Sequence, residues 1–122
     1  MRALVALPIL FSICACAPAA EPPVRAIDLD CTKPFEALDQ AVISQDLRPA
    51  PKDPNEPYRF YSTPDGKASY LVTEPGAPGH PAIMMQRAVG GQVITTGCPY
   101  GDRAGYDQLH AYLDSLKTWR RK

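Results

Sequence analysis

Apolar positions along the chain change their period three times, and each change predicts an element. Phe35, Leu38 and Val42 recur at spacings of three and four, which gives one apolar stripe on a helix. Thr32 stands where a helix cap belongs, Pro34 is tolerated in the first turn, and the stripe runs to about Gln45. The next stretch, "LRPAPKDPNEP", has prolines at 49, 51, 54 and 57; it ends the helix and makes poor strand. Then "YRFYST" and "ASYLVTE", rich in β-branched and aromatic residues, flank "PDGK", where Gly66 can take the left-handed conformation of a hairpin turn. A second hairpin is predicted from "AIMMQRAV" and "QVITTG", separated by Gly90 and Gly91. Within it Ile83, Met85 and Val89 share one face, and Val93 or Ile94 meets that face according to register.

The last segment returns to helical spacing. In "GDRAGYDQLHAYLDSLKTWRRK", Tyr106, Leu109, Tyr112, Leu113, Leu116 and Trp119 fall within an arc of roughly 140° at about 100° per residue. Asp102 or Asp107 near its start and Lys117, Arg120, Arg121 and Lys122 at its end suit the helix dipole; contact with lipid head groups or an acidic partner is the other use for the basic end. The order predicts an α+β fold with an N-terminal helix, an antiparallel four-stranded sheet of two hairpins and a C-terminal amphipathic helix. Both helices are expected on one sheet face, the other face being partly open.

Ahead of this domain the pattern is that of an export signal. Arg2 supplies a positive start and residues 3 to 13, "ALVALPILFSI", an apolar run too short to span a bilayer. The run ends in Ile13, Cys14, Ala15 and Cys16, "ICAC", which resembles the lipobox of bacterial lipoproteins, with Cys14 in the slot usually filled by alanine, serine or threonine. The resemblance covers these four residues and the signal before them. It implies removal of residues 1 to 15, lipid attachment at Cys16, and a membrane-anchored protein facing the periplasm. By the same resemblance Ala17, in place of an aspartate that retains many such proteins at the inner membrane, favours the outer membrane. Ordinary cleavage after Ala17 or Ala19, giving a soluble periplasmic protein, is the competing reading. Residues 16 to 26 form a tether with no repeating apolar face, reaching about 30 Å at roughly 3 Å per residue. Residues 27 to 122 form a single small domain.

Composition sharpens this picture at two points. Thirteen acidic and thirteen basic side chains balance, which removes any broad electrostatic case for a nucleic-acid partner. A foldable part of about 90 residues buries a marginal core, so a covalent staple is expected. Cys31 and Cys98 remain once the signal is set aside, and in an oxidising compartment they pair as a disulfide. Neither belongs to a CxxC, and a zinc site wants two more ligands at short spacing.

Candidate chemistry is sparse. His110 has Asp107 three residues before it and Asp114 four after, a grouping that serves a base, a metal or an ordinary solvated helix face. His80, in "EPGAPGHPA", is expected in an exposed loop between the hairpins, and "PGAPGHP" is slim and stiff enough to enter a partner's cleft. No GxSxG, HExxH or phosphate-cradling glycine loop occurs, and no catalytic residue, metal or cofactor is assigned. The aromatic residues are the stronger signal. Tyr58, Phe60, Tyr61, Tyr70 and Tyr100, with His80, are the candidate binding surface, unless they fill the space beneath the last helix. The expectation is therefore an envelope lipoprotein that binds another envelope protein as accessory subunit, assembly factor or inhibitor. The alternatives are a small periplasmic enzyme or metal-binding protein using His80 or His110, and a purely structural surface protein.

Overall fold

The computed structural model describes residues 26–119; the signal, Cys16, the tether before Ala26 and the basic residues from Arg120 onward lie outside them. The elements in order are α1 (Phe35–Ile43), β1 (Arg48–Pro49), β2 (Tyr58–Ser62), β3 (Ala68–Thr73), β4 (Ala82–Val89), β5 (Gln92–Pro99) and α2 (Arg103–Trp119). All strands are antiparallel neighbours in chain order, so the two expected hairpins fuse through β3 and β4 into one meander of five strands. The fifth strand, β1, is the correction to a four-stranded sheet. Pro49 has no N–H to donate, but it sits at the outer edge opposite Tyr61, where a missing donor costs least, and Ala50 N continues the ladder to Phe60 O at 2.9 Å.

β3 and β4 are apolar at successive rather than alternating positions, and this dictates the layers. Ala68, Tyr70 and Val72 with Ile83, Met85 and Cys98 point to one face, where Leu38 and Val42 of α1 cover them. Leu71, Ala82 and Met84 point to the other, beneath Tyr106, Leu109 and Leu113 of α2. The helices therefore lie on opposite faces, not on one, because a strand pair with two apolar faces needs cover on both.

The turn chemistry agrees with the sequence at each hairpin. Gly66 has φ 72°, and Gly90 and Gly91 have φ 57° and 77°, the left-handed pair that a mirror-image turn requires. The register sets Ile83 opposite Cys98 and Arg87 opposite Ile94, so Ile94, not Val93, joins the Ile83 face. Helix ends differ from expectation in detail. Pro34 occupies the N-cap of α1 without a side-chain bond, Thr32 turns instead to Asp30 Oδ1, and the helix stops at Ile43 rather than Gln45. Asp102 caps α2, accepting from Gly105 N at 2.8 Å. Tyr112, placed within the apolar arc, stays 43% exposed at its margin.

Each strand runs between two ends of the sheet. One, the turn end, carries the turns at residues 63–67 and 90–91; the other, the loop end, carries residues 74–81 and the start of α2. Cys31 and Cys98 form the disulfide, with Cα atoms 5.2 Å apart across 67 positions of sequence, fastening the segment before α1 to β5. On the chain-entropy account a closed loop of this length stabilises by about 4 kcal/mol, comparable with the whole stability of a domain this small. Reduction without denaturant should therefore lower the urea midpoint sharply or unfold the domain; coincident urea curves with and without reductant would show that the bridge carries no stability.

Candidate functional site

The proline-rich segment after β1 leaves the sheet edge and returns at Tyr58, enclosing a pocket of about 250 Å³ against the outer side of β2. Its wall is built from prolines and short-range bonds. Asp53 Oδ1 accepts from Asn55 N at 2.9 Å and Asp53 O from Glu56 N at 3.0 Å. Lys52 Nζ closes the turn by donating to Asp53 O at 2.8 Å and to Glu56 O, and it pairs with Glu74 Oε1 at 2.9 Å. The segment is thus preformed, tied to the end of β3 by its own lysine.

Tyr58 and Phe60 supply aromatic lining, their rings edge to face at 6.2 Å. Arg59 and Tyr61, one position out of phase, belong to the opposite sheet face. There Arg59 Nη2 pairs with Asp39 Oδ2 of α1 at 3.0 Å and Nη1 donates to Tyr61 Oη at 3.0 Å. Burial works against the Arg59 cation, but the hydrogen bond and charge of Asp39 outweigh it and hold the guanidinium above its ordinary value. Burial also raises the Tyr58 phenol, reinforced by Tyr112 and Glu56, so both groups keep their neutral-pH charge states. The outer backbone of β2 is covered only as far as Phe60, whose carbonyl accepts from Ala50. Antiparallel alternation turns Tyr58 toward the same edge, beyond the last β1 pairing.

The six candidate residues do not make one surface. Tyr58 and Phe60 from the α2 face and Tyr61 from the α1 face all line the edge pocket. Tyr70 is 1% exposed beneath α1, its hydroxyl donating to Ile27 O at 2.7 Å. Tyr100 Oη donates to Lys33 O at 2.8 Å, and its ring joins Phe35 and His80 in edge contacts of 5.8 Å, Phe35 being the common member. His80 is half-buried rather than displayed, with Nδ1 2.8 Å from Thr73 Oγ1. The loop around it is pressed onto α2: a Cβ on Gly105 would stand 2.2 Å from Gly79 N, and one on Gly101 2.3 Å from His80 O. His110 Nδ1 meets Asp114 Oδ2 at 3.1 Å on the flank of α2. No group of three His, Cys, Asp or Glu able to hold a metal forms among the described residues.

The residues missed from sequence are Lys52, Glu74, Arg59 and Asp39. Lysine and glutamate 22 positions apart carry no spacing signal, and Asp39 lies between apolar positions of α1 where a solvated carboxylate is the ordinary expectation. No family model, curated protein or solved structure matches the chain.

Tyr70 provides a test of this sorting. Its burial raises the phenol, so the unfolded chain ionises first and stability, full below about pH 10, is lost as pH rises through the unfolded and then the folded pKa. Tyr70→Phe should cost about 1 kcal/mol at neutral pH by leaving Ile27 O without its donor, yet should flatten the alkaline decline. Urea midpoints measured from about pH 7 to 11 read both effects; an unchanged neutral midpoint and an unchanged decline would place Tyr70 in solvent.

Proposed function

We propose that the protein is an envelope lipoprotein whose disulfide-stapled domain binds an extended segment of another envelope protein at the outer edge of β2. The observation that carries this reading is the preformed pocket: Lys52 and Asp53 hold its wall in place before any partner arrives, which lowers the ordering cost of association. At about 250 Å³ it falls below the usual range for a drug-sized ligand, and suits one or two side chains of a peptide better than a whole metabolite. The backbone of β2 beyond Phe60 can add the main-chain bonds of a paired strand. The disulfide supports an oxidising compartment, and the lipobox-like "ICAC" supports anchoring at Cys16.

A photo-cross-linking amino acid at Tyr58, compared in intact cells with one at Gln92 on the far turn, tests the reading. One dominant envelope-protein adduct is expected from position 58 and none from 92, unchanged when His80 and His110 are both replaced by alanine. No adduct at 58, or the same adducts from both positions, would overturn it. Loss of the adduct in the well-folded double histidine variant would move the function to the imidazoles.

A further inference from the structure

The two edges of the sheet differ in how they meet a further strand. At the β1 edge the outer strand has only Arg48 and Pro49, a charge and a missing donor that discourage pairing. The β5 edge has no such guard. β5 is the last strand of the meander, and its eight residues, "QVITTGCP", carry no charge and include four consecutive β-branched side chains, Val93 to Thr96.

The ladder fixes which backbone groups of β5 face outward. Tyr100 N donates to Pro81 O at 3.0 Å, so Tyr100 and, at alternate positions, Cys98, Thr96, Ile94 and Gln92 turn their N–H and C=O toward β4. Ala88 agrees: its N donates to Lys67 O at 2.8 Å on the β3 side, away from its register partner Val93. Val93, Thr95 and Gly97 therefore present their N–H and C=O at the free edge. Gly97 O is crowded by the disulfide, with Cys31 Sγ 3.5 Å away. Among the described residues no hydrogen bond reaches the N–H or C=O of Val93 or Thr95, and between them Ile94 is 47% exposed on the α1 face.

We propose that the β5 edge pairs with the β5 edge of a second copy of this chain, antiparallel about a two-fold axis at Ile94. Val93 of each copy then exchanges both backbone bonds with Thr95 of the other, which uses all four open groups and stops short of Cys31. The same register sets Ile94 against Ile94 and Gln92 against Thr96, at Cα separations of about 4.5 Å, and so buries the exposed isoleucine on itself. A two-fold contact brings identical residues together, and an uncharged strand meets its copy without repulsion. Arg87, opposite Ile94 on β4, is neutralised by Asp28 at 2.8 Å. The stretch of this chain leading to Ala26 is a poor rival for the edge, because prolines at 18, 22 and 23 lack the N–H that a strand donates. Two five-stranded sheets thus become one, with a β2 pocket on each far side free for another protein.

Cysteine pairing in the full-length protein, produced in the cell envelope and treated with a mild oxidant, reads this register. Ile94→Cys should join two copies, because about 4.5 Å between Cα atoms lies within the span of a disulfide. Gln92→Cys or Thr96→Cys alone should give at least about 10-fold less dimer, the like positions lying about 14 Å apart along the strands, whereas the two variants expressed together should cross-link. Adding Ile94→Lys to that mixed pair should cut the product about 10-fold by setting like charges face to face, and Ile94→Val should preserve it. Peptide mapping that finds Cys31 still bonded to Cys98 checks the fold of each variant. Position 92 should thus reach only another copy of the chain, which keeps this result separate from capture of a different protein at Tyr58. Equal cross-linking from all three single variants, absence of dimer from both Ile94→Cys and the mixed pair, or attachment of Ile94→Cys to a different protein would overturn the proposal.

Discussion

The central strand pair, β3 with β4, is apolar on both faces, and the rest of the domain follows from the need to cover them. From Tyr70 to Thr73 and from Ala82 to Met85 every residue is buried. A fully buried side chain of this size stabilises by roughly 1.5 to 3 kcal/mol, so leaving either face in water would cost more than a small domain has to lose. One helix on each side is the smallest cover available. α1, with nine residues, covers one face through Leu38 and Val42, and the disulfide from Cys31 to Cys98 holds its approach in place. α2, at seventeen residues, covers the other, and its first turn seats against the loop before β4 because Gly79, Gly101 and Gly105 let backbone meet backbone without intervening Cβ atoms.

With both helices committed to the centre, the sheet edge at β2 is left half-buried along its whole length. That intermediate state leaves side chains of β2 within reach of solvent. Arg59 and Asp39 tie one side of the strand to α1, Tyr58 and Phe60 present aromatic surface on the other, and two residues of β1 cover only part of the edge. Proline in the following segment forbids further pairing with β2 while stiffening the wall that Lys52 fastens. The same prolines that end the ladder thus create the pocket beside it.

How much of this was legible depended on the range of the interaction. Local signals spoke clearly: Gly66 and the Gly90, Gly91 pair marked both hairpins, the Phe35, Leu38, Val42 spacing marked α1, and two cysteines left by the signal marked the bridge. The two-faced sheet was also written, in "YLV" and "AIMM", where alternation fails; reading those runs as ordinary hairpin strands put both helices on one face. His80 looked exposed because its neighbours are proline and glycine. Its burial arises from the close approach of Gly79 to Gly105 across 26 positions, a contact with no periodicity to betray it. The aromatic residues of β2 stood out as a group, but Tyr70, opposite Tyr61 in register, was not separable from them until the faces were known.

The two-faced burial of β3 and β4 is tested most directly by methyl-resolved nuclear Overhauser effects on the oxidised protein. The account predicts contacts from Leu38 and Val42 to Ile83 and Met85, and a separate set from Leu109 and Leu113 to Leu71 and Met84, with none shared between the helices. Contacts from both helices to the same strand residues, with the other face of β3 open to solvent exchange, would contradict it.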